Sequence, residues 1–150
     1  MHKELPKFLA KLKTRGFQVK LDTNGFYPDV LEECLQSVDY VALDVKTSLE
    51  KYSLLGAKNT SGFLRTVEML KMGKVAYEFR TTVVPEIVTA EDMAKICELA
   101  KGVKTHAFQQ FVPQDTLEKR FEELKPYAPE VISEFAGNMK GYAENVVLRV

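Results

Sequence analysis

The chain has 150 residues, enough for one domain with a sizeable core. Its 45% hydrophobic and 28% charged content excludes a disordered or membrane-resident chain. Lys plus Arg and Asp plus Glu both number 21, so no basic excess argues for nucleic acid and no acidic tail for a solvating segment.

Leu5, Phe8, Leu9 and Leu12 recur at helical spacing, which predicts an amphipathic helix over 3–15 with Gly16 as its stop. The alternation Phe17-Gln18-Val19-Lys20-Leu21 predicts a strand running into the turn Asp22-Thr23-Asn24-Gly25. Pro28 suits a first helical position, and Val30, Leu31, Cys34 and Leu35 give the next stripe. Tyr40-Val41-Ala42-Leu43 is continuously apolar, as in a strand covered on both faces, with Asp44 and Lys46 at its C-terminal end. A Gly-containing stretch from Gly56 to Gly62 leads to a helix with Phe63, Leu64, Val67 and Leu70, closed by Gly73.

Val75 to Val84 is the longest strand candidate, ended by Pro85. Thr89 and Asp92 form a capping-box-like pair before a helix with Met93, Ile96, Cys97 and Ala100 inward, and Gly102 ends that helix. A strand over His106 to Val112 stops at Pro113, and polar residues 114–123 read as loop or short helix. Pro129 opens a helix with Val131, Ile132, Phe135 and Met139, and Val146 to Val150 is strand-like. Strand and helix alternate throughout, which predicts right-handed βαβ crossovers, a mostly parallel sheet and a single α/β domain over residues 1–150. No apolar run approaches the ~20 residues needed to span a bilayer. The N-terminus lacks signal-peptide character, and a cytoplasmic location is expected.

In parallel α/β folds, functional groups collect where strands end. Those positions hold Asp22, Thr23 and Asn24, then Asp44 and Lys46, then Glu78, Arg80 and Thr82, then Gln109 and Gln110. Charged Glu78 and Arg80 are unusual inside a parallel sheet, because burying an unpaired charge is very costly. They must meet partners or open onto a cavity, and a closed or nearly closed barrel could gather Asp22, Asp44, Lys46 and Arg80 at one mouth. Each has a plainer reading. Asp22 to Gly25 could be only a turn, Asp44 and Lys46 a solvent-facing pair, Glu78 and Arg80 a structural ion pair. His106 reads as a strand residue with a satisfied nitrogen. Cys34 and Cys97, 63 positions apart, both fall on apolar stripes and read as buried reduced thiols rather than disulfide or metal ligands.

Taken in order, Leu21-Asp22-Thr23-Asn24-Gly25-Phe26, Asp39-Tyr40-Val41-Ala42-Leu43-Asp44-Val45-Lys46 and Phe79-Arg80-Thr81-Thr82-Val83-Val84-Pro85 resemble the radical S-adenosylmethionine activating enzymes. These include the pyruvate formate-lyase and anaerobic ribonucleoside-triphosphate reductase activators. Gln109-Gln110-Phe111-Val112-Pro113 and Val146-Val147-Leu148-Arg149 look closer to the latter. The resemblance implies a partial TIM-like (β/α) barrel. In the full-length family, S-adenosylmethionine and a [4Fe–4S] cluster yield a 5′-deoxyadenosyl radical that takes hydrogen from a glycine of a partner glycyl radical enzyme. It implies cofactor contacts for Asp22, Thr23, Asn24, Asp44, Lys46, Arg80 and, by a looser match, Gln110. It also implies a monovalent cation at Asp22 and Asp44.

The family's Cys-x3-Cys-x2-Cys loop is absent, so the chain is read as a C-terminal fragment lacking the first strands and catalytically inactive alone, with no cofactor bound. His2-Lys3-Glu4-Leu5 resembles the stretch that follows the missing part. Removal of strands would open an edge at residues 17–21, through which a homodimer is expected unless the 3–15 helix covers it. Two other readings compete: a stand-alone binding or interaction module, and an unrelated α/β enzyme acting on an anionic small molecule. Neither nucleic acid nor membrane is an expected partner.

Overall fold

The structure, a computed structural model, describes residues 3–149, so the expectations on His2 and Val150 lie outside the described residues. Five α-helices and five strands alternate in the order α1 (Leu5–Thr14), β1 (Lys20–Thr23), α2 (Pro28–Cys34), β2 (Tyr40–Asp44), α3 (Ser61–Lys71), β3 (Ala76–Val83), α4 (Ala90–Leu99), β4 (Val103–Gln110), α5 (Pro129–Met139) and β5 (Ala143–Arg149). The strands form one wholly parallel sheet in sequential order β1-β2-β3-β4-β5. When every strand neighbours the one before it, right-handed crossovers carry all the helices to the same face. The architecture is therefore the α/β, partial TIM-like one. No helix among the described residues is long and apolar enough to cross a membrane.

The helix-bearing face is apolar. Val41, Leu43, Phe79, Val83 and Phe108 of the strands are fully buried in one cluster with Leu31 and Cys34 of α2, Phe63 and Val67 of α3, Ile96 of α4 and Ile132 of α5. Both cysteines are free and buried there, and burial pushes both thiols up. The Thr89–Asp92 capping box forms as expected: the Thr89 hydroxyl accepts from the Asp92 N–H while the Asp92 carboxylate accepts from the Thr89 N–H.

Some boundaries shift for identifiable reasons. The first strand begins at Lys20, not Phe17, because the Phe17 N–H bonds back to the Leu12 carbonyl of α1. Val19 is held by the Asp39 carboxylate at 2.7 Å instead of a strand. The fourth strand covers Val103–Gln110 rather than 106–112: Gln110 pairs with Val83, and the chain beyond Val83 turns away at Val84-Pro85, leaving Phe111 and Val112 no partner strand. The fifth begins at Ala143, three residues early. Three 3₁₀ segments, Leu35–Ser37, Leu49–Leu55 and Lys119–Glu123, join the elements, and Leu49–Leu55 has no counterpart in the expected pattern.

His106 is completely buried on the helix face, and only half satisfied. Thr81 donates its hydroxyl to the Val45 carbonyl at 2.8 Å, so Nε2 of His106, 3.0 Å away, is the donor to Thr81. Nδ1 has no hydrogen-bond partner among the described residues. Burial drives the ring down to about 4, so it stays neutral at ordinary pH.

Candidate functional site

The face without helices carries the alternate residues of each strand. Register places Asp22 beside Ala42 and Glu78, then Asp44 beside Arg80 and Ala107, then Thr82 beside Gln109 and Arg149. Period-two alternation thus puts Lys20, Asp22, Asp44, Glu78, Arg80 and Arg149 on one surface.

These charges form a continuous chain. The Arg80 guanidinium donates from Nε to Asp44 Oδ1 at 2.7 Å and from Nη1 to Asp22 Oδ2 at 2.9 Å. Lys46 Nζ lies 3.3 Å from the other Asp44 oxygen. Lys20 sits 3.6 Å from Asp22 and 3.8 Å from Glu78. Arg149 grips the Glu78 carboxylate with two bonds of 3.0 and 2.6 Å. Glu78 and Arg80 are therefore not paired with each other; each finds its partners on other strands. Burial pushes the Asp22 carboxyl up, but Arg80 and Lys20 outweigh it and hold it below its ordinary value. Arg80, held between two carboxylates, is raised in spite of burial. The place between Asp22 and Asp44, where a monovalent cation is expected, is bridged by the Arg80 guanidinium.

Thr23 and Asn24 act locally. Thr23 faces the helices, and its hydroxyl accepts from the Gly25 N–H at 3.1 Å. Asn24 Oδ1 accepts from the Phe26 N–H at 3.2 Å. Gly25 has φ +80, and a Cβ there would fall 2.7 Å from Leu43 Cδ1 and 2.9 Å from Phe63 Cδ2. Gly25→Ala is expected to destabilise by about 2–4 kcal/mol, adding left-handed strain to overpacking. A lower urea midpoint at unchanged m would register it.

Gln110 does not join this cluster. By alternation it lies on the opposite face of β4 from Arg80's neighbour Ala107, and its amide donates to the carbonyls of Phe111 and Tyr127 at 3.4 and 3.3 Å. Gln109, one position earlier, shares the charged face.

A cavity of about 380 Å³ opens at the C-terminal ends of β2 and β3. Asp44, Lys46, Arg80 and Thr82 form its polar end; Leu55, Ile87, Phe111 and Phe121 form an apolar wall that sequence reasoning did not identify. The wall residues come from loops and short 3₁₀ segments, whose place in the fold carries no periodic signal. A second hollow of about 330 Å³ adjoins it, with Asn24, Tyr27, Tyr52 and Lys58 in its lining, and the two share Lys46 and Leu55. Both fall in the size range of small-molecule sites, and the first has the usual apolar body with a few convergent polar groups.

No group of three or more His, Cys, Asp or Glu among the described residues could hold a metal ion. The two cysteines sit in separate helices under the sheet. They do not fit an iron–sulfur cluster, which needs several convergent thiolates.

No family model matches the chain. It is 35% identical over 145 residues to a provisionally named glycyl-radical enzyme activating enzyme of Methanocaldococcus jannaschii, in an alignment covering 91% of this chain and 60% of that protein. The chain thus spans about three-fifths of the length of this curated relative. Its fold matches the crystal structure of a domain of pyruvate-formate lyase-activating enzyme from Bacteroides vulgatus with a TM-score of 0.76, covering 97% of this chain and 89% of that one. At 11% identity, that second likeness concerns the fold.

Proposed function

We infer that the chain belongs to the glycyl-radical enzyme activating enzyme family, part of whose relative's length it spans, and that it is the portion of such an activase that holds S-adenosylmethionine at the strand ends. The observation that carries this reading is the meeting of Asp22, Asp44, Lys46 and Arg80 at one mouth, beside a cavity with an apolar wall. An amino-acid sulfonium attached to a nucleoside asks for that mixture. Lys46 offsets a carboxylate, Asp44 and Asp22 accept from hydroxyls or an ammonium, and Ile87, Phe111 and Leu55 cover a flat base. Arg80 holds the two carboxylates at fixed positions through a planar fork that a lysine could not reproduce.

When bound beside a reduced cluster, the cofactor supplies the hydrogen-abstracting chemistry. This chain's residues bind it, orient it and exclude water. The two buried cysteines do not fit such a cluster. The partner is a glycyl radical enzyme of the ribonucleotide reductase or pyruvate formate-lyase type, acting with the whole activase.

Two measurements test the reading. Calorimetric titration of S-adenosylmethionine into the chain is expected to give saturable binding with a Kd on the order of 10–100 µM, about −5.5 to −7 kcal/mol. Anaerobic incubation with iron, sulfide, dithionite and S-adenosylmethionine is expected to yield no 5′-deoxyadenosine. Absence of binding would refute the cofactor site; turnover would refute the inactivity of the chain alone.

A further inference from the structure

We propose that Asp92 is a positioning residue of the ligand cleft. It pins the loop after β2, which carries Lys46, Tyr52 and Leu55, to the loop after β3, which carries Val84 and Ile87. The inference rests on the cofactor-site reading and adds to it the device that sets the cleft's width.

A capping residue at the third position of a helix needs one carboxylate oxygen for one backbone N–H, and it is ordinarily solvated. Asp92 is 2% exposed and does more. Its Oδ2 accepts from the Thr89 N–H at 2.9 Å, the Thr89 hydroxyl at 2.6 Å and Lys51 Nζ at 2.6 Å. Its Oδ1 accepts from the Ser48 hydroxyl at 2.6 Å. Ser48 and Lys51 lie on the other loop, more than 40 positions upstream, and neither is needed for a cap.

Two further bonds cross the same seam. The fully buried Thr47 donates to the Ile87 carbonyl at 2.6 Å, and Lys51 also reaches the Glu86 carbonyl at 3.2 Å. Glu86 has φ 70, a left-handed conformation uncommon for a residue with a side chain, so the loop after β3 adopts this shape only where its surroundings hold it. The seam runs straight into the cavity wall. Tyr52, one residue beyond Lys51, accepts the Lys46 N–H on its hydroxyl at 3.0 Å, and Ile87 lines the cavity together with Leu55 and Lys46. A charge-assisted carboxylate between the loops therefore fixes both sides of the pocket at once.

The test compares the unsubstituted chain with Asp92→Asn, which keeps the shape, with Ser48→Ala, which removes one arm, and with Ile132→Ala, a core truncation in α5 remote from the cleft. Hydrogen exchange of the backbone amides is read first. Asp92→Asn is expected to speed exchange at 46–55 at least tenfold over the change in β4, with a smaller rise for Ser48→Ala and none specific to 46–55 for Ile132→Ala. Calorimetry with S-adenosylmethionine is read second, and Asp92→Asn is expected to weaken binding at least tenfold where Ile132→Ala does not. Unchanged exchange at 46–55 in Asp92→Asn would overturn the latch. So would faster exchange with unaltered affinity. If the unsubstituted chain binds no S-adenosylmethionine, the cofactor-site reading falls, and the exchange comparison still decides the latch.

Discussion

Arg80→Ala is expected to weaken S-adenosylmethionine binding by about a hundredfold, roughly 2.7 kcal/mol, while the chain remains folded. Among the described residues, Arg80 is the only group that touches both Asp22 and Asp44, through a fork of 2.7 and 2.9 Å bonds. Without it, two carboxylates on neighbouring strands face each other with only Lys20 and Lys46 at their outer sides. Asp22 is about half exposed and Asp44 about a quarter exposed, so water stabilises them and the stability loss should stay near ~1–2 kcal/mol. The binding loss is larger because the pocket's polar end then carries excess negative charge in an unfixed arrangement. Arg80→Lys keeps the charge but not the fork, and should fall between the two. Calorimetric titration alongside urea unfolding separates the effects; undiminished affinity in Arg80→Ala would exclude the cluster from the binding site.

Arg149→Ala should lose stability on the order of 2–4 kcal/mol at neutral pH. Its partner Glu78 is 2% exposed in the middle of the sheet, and removing Arg149 leaves that buried charge with only the more distant Lys20, at 3.8 Å, to offset it among the described residues. The estimate sits low in the usual range because Arg149 is itself 39% exposed. The pH dependence should change sign as well. Burial pushes the Glu78 carboxyl up, but Arg149, Lys20 and Tyr40 overcome it and leave it below its ordinary value. A carboxyl depressed in the folded state contributes stability above its unfolded pKa of ~4.3, lost as pH falls through the lower folded value. In Arg149→Ala, burial prevails and the folded value rises, so this group favours folding at low pH and opposes it as pH climbs. Unfolding measured from pH 4 to 7 should therefore show the variant's deficit growing with pH. Parallel curves for the two proteins would disprove the assignment. The double variant Glu78→Met, Arg149→Met should recover most of the loss, because a packed apolar pair leaves no buried charge.

The βα rhythm was legible because each amphipathic helix and short apolar strand announces itself by local spacing. The convergence of Asp22, Asp44 and Arg80 was legible for a related reason: strand ends of a parallel sheet lie side by side, so order in the sequence becomes order in space. Parity was harder to read. The expected start of β4 was three residues late, and a loosely placed strand cannot say which of Gln109 and Gln110 shares the face of Arg80. Asp92 was readable as a cap for α4, since its partner Thr89 is three residues away, but its bonds to Ser48 and Lys51 belong to tertiary structure. The Leu49–Leu55 segment escaped because its seven residues are too few to show a helical stripe. Arg149 was noted as part of a family-like ending, yet nothing local linked it to Glu78 on a strand 71 positions earlier.

The sequential strand order also bears on how the chain reaches its native state. Paired residues are never far apart along the backbone: 20 positions separate Lys20 from Tyr40, and 40 separate Val103 from Ala143. Every adjacent pairing closes a single helical excursion, and closure entropy grows only slowly over that span. The nucleus can then be any two neighbouring strands with their intervening helix, and the remainder accretes outward from it in both directions. Such a route predicts folding rates set by one crossover rather than by the full length of the polypeptide.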